Sequence, residues 1–264
     1  MNVTLITGAS GGIGEAAAHQ FALKKHNLVL VARNEKKLNE LCNLLKAKYK
    51  IEAQYIVADL EKPETANVIF EETAKRKLTV NVLINNAGRG SSGEFYKNAL
   101  QSDLDMLQMN NSSLVALCRL FLPDMIQKKN GSIINVASLA AFFPSPYMAV
   151  YAASKMFVRS FTEALTEECR PYNVHVMLFN PGFTSTNFMN TTANNNEWGK
   201  VLTEGAYTQN SYQVAVEMIK AWETKKNFHV SGRVNALLVK TMALVPNSFI
   251  AKSFAKSKRK QMKL

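Results

Sequence analysis

The chain of 264 residues has little cysteine, little histidine and no long apolar run. Its three cysteines, Cys42, Cys118 and Cys169, lie far apart and form no C-x-x-C pair. That pattern excludes a disulfide framework and a thiolate metal site, and reads as buried small hydrophobes in a reducing compartment. The four histidines, His19, His26, His175 and His229, show no metal-ligand spacing, so no metal is expected. No stretch reaches the ~18 apolar residues of a membrane-spanning helix. The first strand begins at Val3, which leaves no room for the charged and apolar regions of a signal peptide. A cytoplasmic location is therefore expected. Triplets such as Asn110-Asn111-Ser112 then carry no glycosylation meaning.

Acids are also scarce: 20 Asp and Glu stand against 32 Lys and Arg, a net charge of +12. Half of that excess sits in the last thirteen residues, which hold Lys252, Lys256, Lys258, Arg259, Lys260 and Lys263 and no acid. The simplest reading is a solvated terminal helix, frayed at its end. Phe249, Ile250 and Phe254 are interleaved with the lysines, so peripheral contact with an anionic membrane is a second reading. No nucleic-acid recognition motif accompanies the charge, and no nucleic-acid partner is expected.

Apolar residues make up 47% of the chain, enough for a large core. They fall into strand-like runs at Val3–Thr7, Leu28–Ala32, Ala53–Val57, Val82–Ile84, Ser132–Val136 and Val174–Phe179, with a fainter one at Phe228–Val230. Helical spacing separates them: Ile13–Lys25, Glu35–Lys48 with a Leu38, Leu41, Leu44, Leu45 stripe, a helix opened by Pro63, then Asp103–Lys128 and Tyr151–Cys169. Alternation of this kind predicts an α/β fold, one doubly wound parallel sheet with helices on both faces. No linker or repeat divides the chain, so residues 1–264 are expected to form a single domain. Residues 183–206 are polar and asparagine-rich, with Phe188, Met189 and Trp198 scattered among them. A long segment after a strand's carboxyl end predicts a substrate lid. Residues 236–264 form a basic, helical C-terminal extension.

Thr7-Gly8-Ala9-Ser10-Gly11-Gly12-Ile13-Gly14 lies between the first strand and the first helix. Glycines there let backbone N–H groups approach a pyrophosphate at a helix N-terminus. The same turn matches G-x-S-x-G, the nucleophile elbow of serine hydrolases, with Ser10 as nucleophile. Its place after the first strand counts against that rival. The second strand ends Ala32-Arg33-Asn34, where an NAD site would carry Asp or Glu. An arginine matches a 2′-phosphate, so NADP(H) is favoured over NAD(H).

Tyr151 and Lys155 are four apart at the start of a helix and share a face. A lysine ammonium beside a phenol lowers the phenol's pKa, and such a tyrosine can give or take a proton. Ser138, at the end of the fifth strand, is placed to bond the same substrate oxygen.

With these motifs in order, residues 2–190 resemble the short-chain dehydrogenase/reductase family and its Rossmann-type fold. The resemblance rests on Thr7–Gly14, Asp59-Leu60, Asn85-Asn86-Ala87-Gly88, Asn110, Ser138, Tyr151, Lys155 and Pro181-Gly182 with Thr186. It implies that Tyr151 is the general acid/base, that Ser138 holds the substrate oxygen, and that Lys155 binds the nicotinamide ribose and tunes Tyr151. Asn110, preferred over its neighbour Asn111, would support a water in the proton relay. The cofactor would contact Gly8, Ser10, Gly11, Gly12, Ile13 and Gly14, then Arg33, Asn34, Asp59 and Leu60. Asn86, Ala87 and Gly88 would line its middle, and Pro181, Gly182, Thr184 and Thr186 its nicotinamide. Gly11 departs from the family pattern, where serine is frequent.

The expected activity is hydride transfer between NADP(H) and a carbonyl or secondary alcohol. Phe142, Phe143, Pro144 and Met148, with Phe183, Phe188, Met189 and Trp198, suggest a lipophilic substrate. A dimer or tetramer is the family's habit. A non-catalytic NADP-binding regulator is the second reading of the same motifs, and the Ser10 hydrolase the third.

Overall fold

The computed structural model describes residues 1–185, 188 and 208–262. Seven strands form one sheet in the order β3-β2-β1-β4-β5-β6-β9, every neighbouring pair parallel. These are β1 (Asn2–Thr7), β2 (Leu28–Ala32), β3 (Ala53–Val57), β4 (Thr79–Asn85), β5 (Gly131–Val136), β6 (Val174–Asn180) and β9 (Phe228–Val230). The order reverses between β1 and β4, and open α/β sheets bind ligands at the carboxyl ends of strands at such a point.

The strands read as unbroken apolar runs because helices cover both faces. Along β2, Leu28 and Leu30 join one core with Phe21, Leu38 and Phe179. Val29 and Val31 join the other, with Leu114, Phe121 and Ile133. Helices α1 (Gly12–Leu23), α2 (Glu35–Tyr49) and α7 (Ser211–Glu223) lie on the first face. α3 (Thr65–Lys75), α5 (Ser113–Gln127) and α6 (Ala149–Cys169) lie on the second.

Several expected details are corrected. Pro63 does not open a helix; it lies in the turn before α3. Leu44 leaves the expected α2 stripe and is 48% exposed, while Cys42 takes the inward place. The helix expected over Asp103–Lys128 is two, α4 (Leu100–Leu107) and α5, joined by a π-turn at Gln108–Ser112. The fourth strand is longer than its apolar centre, because Thr79 and Val80 also pair with β1, and Asn81 sits at a shift of register between them and Val82. All three cysteines are free and buried, as expected, and burial pushes the Cys118 thiol up to about 12.

The segment expected as a lid falls mostly outside the described residues, and so do Thr186, Met189 and Trp198. Thr184–Ser185 at its start (β7) pairs in parallel with Gln209–Asn210 (β8), just past the expected end of the segment. The C-terminal extension forms α8 (Arg233–Met242) and α9 (Asn247–Met262). α9 is not a wholly solvated helix: Ile250 is buried and the Phe254 ring packs on Phe143 at 5.4 Å. Among the described residues no helix is long and apolar enough to cross a membrane.

Candidate active site

The glycine turn sits at the sheet's reversal point. Gly8 has φ +67, and its carbonyl oxygen would lie 2.3 Å from a Cβ on Gly14, so α1 approaches β1 closely only because Gly14 lacks a side chain. Thr7 ties the turn to β4: its hydroxyl accepts from the N–H groups of Asn86 and Ala87, each at 3.0 Å. Asn86 Nδ2 donates back to the Thr7 carbonyl at 2.9 Å. Gly11, the N-cap of α1, provides no side-chain cap, and a Cβ there would meet nothing within 4 Å. The first-turn N–H groups of α1 are thus open to an anion, and the turn fits a diphosphate.

From this turn a cleft of about 1010 Å³ runs across the carboxyl ends of the strands. Gly8, Ser10, Gly11, Gly12 and Ile13 line it, whereas Gly14 lies behind. Past β2 it is lined by Arg33, Asn34 and Lys37. Asn34 also caps α2, its Oδ1 accepting from Lys37 N at 3.0 Å. Arg33 is half exposed and leans toward acids, 3.4 Å from Glu61 and 3.9 Å from Asp59. Glu61 is shared with Arg89 at 2.8 Å. Asp59 does not line the cleft, while Leu60 does. Farther along, Asn86, Ala87 and Gly88 form the wall.

β5 and α6 build the far end. Ser138 follows β5, and Tyr151 and Lys155 point from the first turns of α6 into the same cleft. A buried chain of amides sets this register: Asn85 Nδ2 donates to Asn135 Oδ1 at 2.8 Å, and Asn135 Nδ2 to Thr162 Oγ1 at 3.0 Å. It links β4, β5 and α6 among buried residues, where such bonds are costly to break. Tyr151 is hydrogen-bonded to Ser138. Burial pushes the Tyr151 phenol above its ordinary value, and the Ser138 bond opposes that. The lowering expected from Lys155 does not appear: Lys155 Nζ donates to the Val136 carbonyl at 3.1 Å, and burial dominates the phenol. Burial lowers Lys155 itself to about 8.

Asn110 occupies the π-turn, a widened turn common at functional sites. Its amide bonds both the N–H and the carbonyl of Arg89 and donates to Ser154 Oγ, each at 3.0 Å. A Cβ on Gly88 would lie 3.1 Å from Asn110 Oδ1 and 3.4 Å from Lys155 Nζ, so Gly88 keeps the two adjacent. Asn110 does not itself line the cleft. Asn111 is bound to the Ser154 carbonyl at 2.8 Å.

Pro181, Gly182 and Thr184 line the far end, as do Phe143, Met148, Phe183 and Phe188. The Phe188 ring lies 5.8 Å from that of Tyr151. Phe142 turns away, against Arg159 and Phe228, and Pro144 does not line the cleft. Sequence reasoning missed Lys37, Phe254, Ser257 and Lys258. Lys37 was recoverable, since the Asn34 cap puts it one turn from Arg33. The other three arrive on α9, and nothing local in their sequence points to the cleft. No histidine and no carboxylate stands among the described lining residues, so Ser10 has no catalytic partners there.

The family model for short chain dehydrogenases matches residues 2–197. Over 98% of this chain and 82% of its own length, the Xenopus laevis dehydrogenase/reductase SDR family member 7B is 30% identical. A very-long-chain 3-oxoacyl-CoA reductase of Phaeosphaeria nodorum is 35% identical over 65% of the chain, which spans only 52% of that protein. Among solved structures, a short-chain dehydrogenase from Sphingobium yanoikuyae in complex with NADPH aligns with a TM-score of 0.80 and 24% identity, covering 93% of this chain and 96% of that one. One from Burkholderia phymatum in complex with NAD gives 0.81 and 23%, covering 90% and 92%. Sheet order, glycine turn and family match agree: the chain belongs to the short-chain dehydrogenase/reductase family, nucleotide-binding oxidoreductases on a Rossmann-type fold.

Proposed function

We propose that this oxidoreductase uses NADP(H) to interconvert a lipophilic carbonyl and its alcohol, with Tyr151 as acid/base. The observation that carries the reading is one continuous cleft with the glycine turn at one end and Ser138, Tyr151 and Lys155 together at the other. The nicotinamide, when bound, supplies or accepts the hydride. Gly8, Gly11, Gly12 and the N-terminus of α1 would hold the diphosphate, and Arg33 and Lys37 the 2′-phosphate. Asn86, Ala87, Gly88, Pro181, Gly182 and Thr184 would position the rest.

In reduction, the Ser138 hydroxyl donates a hydrogen bond to the carbonyl oxygen and Tyr151 donates its proton to it. In oxidation, the tyrosinate takes the proton back. Lys155 would hold the nicotinamide ribose, and its charge would favour the tyrosinate once the ammonium turns from the Val136 carbonyl toward that site. Asn110 acts through Arg89, Ser154 and Gly88 and is a positioning residue in this reading. The apolar far end, with Phe143, Phe183 and Phe188, supports a lipophilic substrate, as does the likeness to a very-long-chain 3-oxoacyl-CoA reductase. Residues 1–264 act as one unit and 183–206 as the lid.

Titration of NADPH and NADH, followed by turnover on long-chain ketones and aldehydes, tests the reading. NADPH is expected to bind more tightly, and Arg33→Ala to narrow the gap about tenfold or more, the worth of a charge-assisted hydrogen bond. NADPH binding without turnover on any carbonyl would favour a regulator. Binding of neither nucleotide would overturn the reading.

A further inference from the structure

The helices α8 and α9 each bury one face and leave another uncovered. On α8 the buried side chains are Asn235 and Val239, four residues apart. Val234, Leu237 and Leu238, spaced i, i+3 and i+4, form an exposed apolar stripe on a different face, with Leu237 62% exposed. The exposure continues through the turn, where Leu244 is 85% exposed, to Phe249 in the first turn of α9 at 66%. On α9, Ile250 is buried and Phe254 packs on Phe143. Phe249, Lys252, Lys256 and Lys260, spaced i, i+3, i+7 and i+11, share the exposed face. The apolar residues left uncovered are thus mostly not those that alternate with lysines in the sequence of the tail.

Single apolar residues on a surface need no partner, but a gathering of them marks an interaction site. Charge identifies the partner. Glu223 is the last acid of the chain, and the 41 residues after it carry ten Lys and Arg. Ten of the net +12 charges therefore lie in this stretch. Exposed apolar side chains among bases, with no acid, are what an anionic bilayer surface selects: the first supply insertion and the second attraction to headgroups. A second copy of this chain suits the surface less, because a two-fold contact through it sets bases against bases.

We propose that the exposed face of α8 and α9 docks on an anionic lipid surface. Leu237, Leu244 and Phe249 enter the headgroup layer, and Lys252, Lys256 and Lys260 meet its anionic groups. The docking is peripheral, since among the described residues no helix is long and apolar enough to cross a membrane. The inward face of α9 lines the cleft through Phe254. A docked protein therefore holds its cleft about one helix diameter, ~10 Å, from the lipid. The proposal stands apart from the nicotinamide reading and is tested without nucleotide.

The test is flotation of the full chain with phosphatidylcholine vesicles, with and without phosphatidylglycerol. Wild type is expected to float with the phosphatidylglycerol vesicles at low salt and to be released as salt screens the contact. Lys252→Gln with Lys256→Gln should weaken binding about 25-fold, about fivefold for each base. Lys252→Arg with Lys256→Arg should bind as wild type does. Leu244→Asp with Phe249→Asp should weaken binding tenfold or more. Circular dichroism and thermal unfolding of each variant check that the fold is intact. Absence of wild-type binding at low salt would overturn the proposal. So would unchanged binding in either the Gln or the Asp variant, or equal losses in the Gln and Arg variants. A dimer that forms in place of vesicle binding and dissociates in the Asp variant would also overturn it, and would assign the surface to a second copy.

Discussion

The two ends of the cleft are built by different means. The end near β1 and β2 is made of backbone: the Gly8 turn, the open first turn of α1, and the Asn86–Gly88 stretch tied to Thr7. The far end is made of side chains, with Phe143, Phe183, Phe188 and Phe254 reaching in from separate segments. Backbone recognition tolerates little change, because Gly8 and Gly14 have no room for a side chain. Side-chain recognition can be rewritten one residue at a time without touching the sheet. A family that keeps one cofactor chemistry while varying its substrates is well served by such a division.

Tyr151 stands where the two ends meet, and its loss is expected to have the largest effect. Tyr151→Phe removes the proton donor and keeps the ring that faces Phe188. Turnover should fall on the order of 10²–10⁴-fold, the worth of a general acid. NADPH affinity, set at the other end, should stay near wild type. Steady-state rates and a fluorescence titration measure the two separately. Full activity in this variant would remove Tyr151 from the chemistry.

Lys155 sharpens the comparison because it serves function against stability. Its ammonium is almost fully buried, with a pKa of about 8 in the fold against an ordinary 10.5. Between those values the unfolded chain binds more protons at this lysine, so its own contribution to the stability of the cofactor-free protein should rise with pH from about 8 to 10.5, while the buried thiols, raised to about 11 or 12, pull the other way above about 9. At pH 7 the charged group costs the fold on the order of 3 kcal/mol. Lys155→Met should therefore stabilise the cofactor-free protein by up to that amount near neutrality, offset in part by the lost bond to Val136. The gain should fade toward pH 10.5, while activity is lost throughout. Urea unfolding of wild type and Lys155→Met across pH measures this, and a stability difference between the two that stays flat from pH 8 to 10.5 would count against it.

The same division governs what could be read from the sequence. The glycine turn, Arg33, Asn86–Gly88, Ser138 and the Tyr151/Lys155 pair were legible because each depends on residues close together in the chain. All seven strands were legible for a related reason: burial on both faces writes them as continuous apolar runs. The π-turn at Gln108–Ser112 was not, since its widening answers contacts of Asn110 with Arg89 and Ser154, which only the fold supplies. Nor was the direction of the Tyr151 shift, because spacing reports that Lys155 is near and not that it bonds to Val136. The inward face of α9 was the largest omission. Six bases among the last thirteen residues read as a solvated tail, and only the docking of Ile250 and Phe254 shows that one of them faces the cleft.

Phe254 gives the smallest of these effects and the most direct test of the division. Its ring leans on Phe143 at an interplanar angle of 56° and closes the cleft from a helix far from the sheet. Phe254→Ala removes one aromatic pair, worth about 1 kcal/mol, or roughly fivefold in an equilibrium constant. If the far end is the substrate's, KM for a bulky lipophilic ketone should rise by about that factor, while KM for a small aldehyde and NADPH affinity barely move. If NADPH affinity falls instead, α9 belongs to the cofactor's end of the cleft. The boundary between backbone and side-chain recognition would then lie nearer to Ser138 than the placement of Phe143 suggests.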